Sequence, residues 1–216
     1  MSELTLIRHG QAQTGAKDEA SYDKLSDLGH EQAGWLGRHF QHTHGYDLMI
    51  SGAMNRQIQT AQSLQLDVPH DKDARLNEMD YFGLADSLLQ TQGIAWPTSE
   101  AEFIAHLPKV LHAWRSGEIV DGLETYDAFC ARITEALDDA RSKDGRVLLV
   151  TSTGVIATLA TLALDLDIHK KSRMFMAVAH TSIHKFTMLN GDLHLTQFGG
   201  TPHLDYPERL HAKTFA

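Results

Sequence analysis

Short apolar runs alternate with longer amphipathic stretches along this chain, and the series closes on a two-residue turn. That order leaves few folds open. Leu4–Ile7, Asp47–Ser51 and Arg146–Thr151 read as strands. Between them the spacing predicts a helix from about Asp27 to His42, capped by Ser26, with Leu28, Ala33, Leu36 and Phe40 on its inner face. Further helices are expected over Asn55–Leu64 and, after Thr125, over about Tyr126 to Ser142, where Phe129, Ile133 and Leu137 recur at spacing four and Gly145 follows. Val155–Leu164 is apolar all round, so a helix there has to be covered on every side. Ser182–Leu189 and Leu193–Phe198 flank Asn190-Gly191, a strong hairpin signal. The expected fold is α/β in three layers: a mostly parallel sheet, helices on both faces and an antiparallel hairpin at the C-terminal edge.

The first strand runs straight into Arg8-His9-Gly10, placing an imidazole beside a cation at the sheet edge where α/β proteins bind ligands. The second leads through Ser51-Gly52-Ala53-Met54 to Asn55-Arg56, so Arg56 stands at a helix N-terminus beside free backbone N–H groups, a natural place for an anion. Phosphoryl transfer needs an in-line nucleophile, donors around three oxygens and an acid for the leaving oxygen. His9 suits the first role if its other ring nitrogen donates to a backbone carbonyl. Arg8 and Arg56 suit the second through their planar forks, with Gln11 a further donor.

Three stretches, Leu6-Ile7-Arg8-His9-Gly10-Gln11, Leu25 to Ala33, and Ser51 to Ala61 with Arg56 and Gln59-Thr60-Ala61, carry a resemblance to the histidine phosphatase (phosphoglycerate mutase-like) superfamily. The likeness is close over about residues 4 to 80. It implies a metal-independent phosphomonoesterase without a cofactor, working on a small phosphorylated substrate through a phosphohistidine on His9. It also implies Glu78 as proton donor, from its Leu76-Asn77-Glu78 context before an aromatic-Gly pair. The Gly comes one residue late here, which keeps Asp80 in contention. The chain departs from the family at Thr153-Gly154, where a second histidine normally precedes the Gly; a hydroxyl can donate but cannot carry charge. The N-terminus of the Gly154 helix would soften that loss. His180, at the start of an antiparallel strand and where the family often has Asn, is a possible replacement donor. The resemblance further implies that the segment from about 81 to 124, where the rhythm breaks at Trp96-Pro97 and Pro108, is a helical insertion over the active site. Packing alone would equally explain Trp96 and Trp114.

Two rivals remain. A mutase is disfavoured because Ala12 to Gly15 lack the Trp-Asn of phosphoglycerate mutases; a weakened member that only binds a phosphorylated ligand or protein is favoured by Thr153. A length of 216 residues with 42% hydrophobic content suits one domain, 1–216. A formal charge of −9 argues against nucleic acid as a partner. No leader or membrane span is read, and the single Cys130, in an apolar helical pattern, reads as a small buried hydrophobe; a cytoplasmic location is expected. No metal is expected at His39, His42 and His44, which have no carboxylate or Cys at ligand spacing. His203 is left undecided, as is the oligomeric state.

Overall fold

The computed structural model describes residues 3–13, 18–43 and 45–215. Its strands are β1 Glu3–Arg8, β2 Leu48–Ser51, β3 His70–Lys72, β4 Val147–Thr151, β5 Ile183–Leu189 and β6 Asp192–Gly200. The helices are α1 Glu19–Tyr22, α2 Asp27–Gln41, α3 Asn55–Ser63, α4 Tyr81–Gln92, α5 Glu100–Ser116, α6 Tyr126–Arg141, α7 Thr153–Leu164 and α8 Ile168–Met176.

Side-chain alternation along the strands sorts the core into two layers. Leu4, Leu6, Ile50, Val147, Leu149 and Phe186 join one apolar cluster with α4 to α7, while Ile7, Met49, Leu148, Val150 and Ile183 join another with Leu36 and Phe40 of α2 and Ala61 of α3. The sheet order is β3-β2-β4-β1-β5-β6. The first four strands are mutually parallel, and β5 and β6 are antiparallel additions. In the central pair Arg8 is in register with Thr151, so both strands deliver their last residues to one edge. Asn190 and Gly191 turn the β5–β6 hairpin at φ 54° and 94°, the left-handed geometry that this dipeptide tolerates. The mixed α/β architecture, the mostly parallel sheet and the C-terminal hairpin are as the sequence predicts.

The caps at Ser26 and Thr125 are present, accepting from the Gly29 and Ala128 N–H groups. Several expectations need correction. β3 and α8 went unread: β3 is the polar triplet His-Asp-Lys, which has no apolar period. α7 begins at Thr153, two residues before the apolar run, so Thr153 and Gly154 form its first turn. Pro108 does not interrupt a helix but lies within α5, where the Ile104 carbonyl that loses its donor sits on an exposed turn. Cys130 is only half-buried, and that burial raises its thiol pKa. His44 and positions 14 and 15 lie outside the described residues. Among the described residues no group of His, Cys, Asp or Glu is placed to hold a metal ion, and no helix is long and apolar enough to cross a membrane.

Candidate active site

The three stretches that carry the resemblance lock together through backbone contacts. Gly10 N–H donates to the Thr60 hydroxyl at 2.9 Å, and that hydroxyl donates to the Arg56 carbonyl at 2.6 Å. Leu25 N–H donates to the Gln59 amide oxygen, and Ser26 N–H to the Gln11 carbonyl. Gly10 and Gly29 are required by this closeness: a Cβ on either would meet the other loop's backbone at 2.4 or 2.2 Å.

His9 is 2% exposed. Its Nδ1 lies 2.7 Å from the Gly10 carbonyl oxygen. A carbonyl can only accept, so Nδ1 carries the proton and Nε2 keeps its lone pair. Burial, then the charges of Arg56 and Arg8, hold the imidazole well below its usual pKa. Arg8 is buried beside it, its Nη1 donating to the carbonyls of Val178 at 2.6 Å and of Phe215. Arg56 is also buried, beneath the Tyr22 ring at 5.0 Å.

Around Arg56 the structure differs from the sequence reading. The N-terminus of α3 is not open to an anion from outside: the Asp23 carboxylate accepts from Asn55 N–H at 2.9 Å and Arg56 N–H at 3.1 Å, and pairs with Arg56 Nη1 at 3.1 Å. Asp23 thus caps the helix and fixes the guanidinium, a role no local signal announced.

The N-terminus of α7 is likewise engaged. Gly154 N–H lies 3.0 and 2.9 Å from the two Glu78 oxygens, and Met79 N–H donates to Oε1 at 3.0 Å. The Gly154 N–H expected to compensate for Thr153 therefore holds the carboxylate instead. Burial raises the Glu78 pKa, opposed by those N–H groups and by Arg56 and Arg8. Asp80 accepts from Gly83 N–H at 2.8 Å as the cap of α4 and does not line the cavity. Thr153 does line it, its buried hydroxyl without a protein partner.

His180 comes within reach of the same point. Its ring centroid is 5.8 Å from that of His9, with Nε2 buried and without a protein partner. Thr181, at φ 56°, holds the turn: its N–H reaches the Arg8 carbonyl at 3.2 Å and its hydroxyl the His180 carbonyl at 2.7 Å. A β-branched residue in the left-handed region is uncommon and strained. His203 instead bonds Thr181 Oγ1 at 2.8 Å and stays out of the cavity. Gln11 lines the cavity and accepts the Ser26 hydroxyl at 2.9 Å.

These groups converge on a cavity of about 560 Å³, lined also by Tyr81, Phe82, Phe103, Phe175 and Met176. Two buried arginines beside a tautomer-locked imidazole, at the C-terminal edge of a parallel sheet, make a site suited to a tetrahedral anion. The chain belongs to the histidine phosphatase superfamily (branch 1), whose family model matches residues 4–199. Its structure is similar to that of an Entamoeba histolytica phosphoserine phosphatase mutant bound to phosphoserine, with TM-score 0.69 and 20% identity over 94% of this chain and 100% of that one. It is similar also to a mycobacterial glucosyl-3-phosphoglycerate phosphatase, with TM-score 0.64 and 22% identity over 92% and 99%. Bacillus stearothermophilus YhfR gives TM-score 0.66 and 20% identity over 94% and 99%. No curated protein matches the chain significantly.

Proposed function

We propose that the protein is a phosphomonoester hydrolase that works through a phosphohistidine on His9 Nε2. The observation that carries this reading is the 2.7 Å contact of His9 Nδ1 with the Gly10 carbonyl, which leaves a neutral Nε2 lone pair between two buried arginines. Nε2 attacks phosphorus as the bond to the leaving oxygen breaks. Glu78, its pKa raised by burial, gives that oxygen its proton. Water then attacks the phosphohistidine, passing a proton back to Glu78 while the N–P bond breaks, and inorganic phosphate departs. Arg8 and Arg56 hold the equatorial oxygens throughout. His180 Nε2 donates to the same phosphoryl group, in place of the histidine that Thr153 replaces.

The test is turnover of p-nitrophenyl phosphate with acid-labile labelling of the protein. His9→Ala is expected to lose both with its thermal midpoint preserved; a variant that keeps more than about a tenth of the rate overturns the assignment, since losing a covalent nucleophile costs orders of magnitude. Thr153 favours a second reading, a member that binds a phosphorylated ligand without hydrolysing it. Under that reading nitrophenol is not released and inorganic phosphate only raises the thermal midpoint.

A further inference from the structure

A neutral histidine helps a phosphoryl oxygen only if the nitrogen facing it carries the hydrogen, and both tautomers are open to a free imidazole. For His180 that choice is made by a chain of hydrogen bonds whose direction is fixed at its far end. Gln11 N–H donates to Gln32 Oε1 at 2.8 Å. Gln32 Nε2 lies 2.6 Å from the Ala212 carbonyl. A backbone donor on one side and a backbone acceptor on the other leave one orientation for the amide, so Nε2 is the group that donates to Thr214 Oγ1 at 3.0 Å. Thr214 Oγ1, already accepting, lies 2.9 Å from His180 Nδ1. The Thr214 carbonyl is taken by His180 N–H at 2.9 Å. Among the described residues Nδ1 is the acceptor in reach of the Thr214 hydroxyl hydrogen. A hydrogen on Nδ1 would have to share the Thr214 carbonyl with the His180 N–H and leave the hydroxyl hydrogen without an acceptor, so the hydroxyl gives its proton to Nδ1. The ring hydrogen is then on Nε2, the buried atom without a protein partner, on a ring whose centroid is 5.8 Å from that of His9.

We infer that Gln32 and Thr214 are positioning residues that set the tautomer of His180, making its Nε2–H a donor to the transferring phosphoryl group. The inference rests on the phosphohistidine reading for the donor's use, but the tautomer itself can be read without turnover. Gln32 is fully buried on the inner face of α2, a place where an amide without a task is costly. The relay makes the segment ending at Phe215 part of the site, since the Phe215 carbonyl also holds Arg8 Nη1. Burial first, then the charges of Arg8 and His9, lower the His180 pKa against an opposing contact of the ring with the Thr214 backbone, so the ring is neutral near pH 7 and the donor depends on the tautomer and not on protonation.

The experiment is nitrogen NMR of His180 in the wild type and in Thr214→Val, which keeps shape and backbone but removes the hydroxyl. The wild type is expected to carry its ring hydrogen on Nε2 near neutral pH, and Thr214→Val to shift toward Nδ1. For p-nitrophenyl phosphate, Thr214→Val should lose about 10- to 100-fold in kcat, below or near the cost of deleting one such donor, and Thr214→Ser should restore it. His180→Ala combined with Thr214→Val should be no slower than His180→Ala alone, because both changes remove one contact. A wild-type hydrogen on Nδ1, or costs that multiply in the double variant, overturns the inference. If no variant or wild type hydrolyses any phosphomonoester, the hydrolase reading fails separately. The relay is then judged by the wild-type tautomer and by weaker binding of inorganic phosphate in Thr214→Val.

Discussion

Gly154 shows how a residue without a side chain can decide where a carboxylate sits. A Cβ there would meet Glu78 Oε1 at 2.1 Å, so the glycine keeps both oxygens on the α7 N-terminus. The clashing atom is the end of a flexible side chain, and Gly154→Ala should therefore leave the fold standing while turning Glu78 away. If Glu78 is the acid, the variant will slow alkyl phosphates far more than p-nitrophenyl phosphate, whose leaving group needs little protonation. Equal slowing of both, at an unchanged thermal midpoint, would remove Glu78 from that role. At this scale the sequence was most legible where chain geometry and chemistry coincide: Arg8 and His9 end a strand, and Arg56 opens a helix. Asp23, Gln32 and Thr214 could not be read in that way, because each acts on a residue far along the chain and none stands in a patterned element end. Thr153 was legible as an exception and His180 as a candidate beside it, but the strained turn at Thr181 that brings the His180 ring near His9 is one that no spacing reveals.

Among the elements, those with a strong period or cap were legible and those without were not. α2, α3 and α6 follow their apolar spacing to within a residue or so, whereas β3 is polar throughout and α8 has a fully buried Lys171 that breaks its apolar pattern. Pro108 misled because its local rule, helix termination, yields where the lost bond is solvated. α4 and α5, with Phe175 and Met176 of α8, then supply the apolar lining of the cavity. Tyr81 packs against Phe103 at 5.3 Å and Trp96 at 6.3 Å, with its hydroxyl on His106 Nδ1 at 3.0 Å, so the wall is held from behind. Glu100, exposed at the start of α5, also lines the cavity, and its carboxylate is expected to disfavour a leaving group with a second negative charge. Aryl and other apolar phosphomonoesters are accordingly expected to show lower KM than phosphorylated small acids. Phe103→Ala should raise KM for 1-naphthyl phosphate several-fold at nearly constant kcat. A preference for phosphorylated acids in a substrate panel would mean that this wall does not face the leaving group.

For the whole molecule the buried imidazoles, two of them lining the cavity, set a limit in acid. His9 and His180 are held well below 6.5, chiefly by burial, and burial pushes His184 and His203 down to about 3. The cause is visible at each ring. His184 Nδ1 accepts from Gly199 N–H at 3.3 Å while Nε2 faces the Ser182 hydroxyl, so a second ring proton would oppose a backbone donor. His203 uses Nε2 on Thr181, and its buried Nδ1 has no protein acceptor for an added proton. Between about pH 6.5 and 3 the unfolded chain therefore binds protons that the folded chain refuses, and stability must fall as pH falls through that window. Glu78 has the opposite sign, its raised pKa favouring the folded state at lower pH, but it stands against these four histidines and against His70 and His106, which burial also lowers. At up to about 1.4 kcal/mol per pH unit for each histidine, the combined loss rivals the roughly 5–15 kcal/mol that holds a domain together. The thermal midpoint should be level between about pH 6.5 and 8, above which the lowered Lys171 begins to titrate, and should decline steadily below pH 6.5 and be lost before pH 3. His184→Asn with His203→Asn should lower the midpoint at pH 7 yet flatten its acid slope. The same slope in that variant would mean that other groups drive acid unfolding.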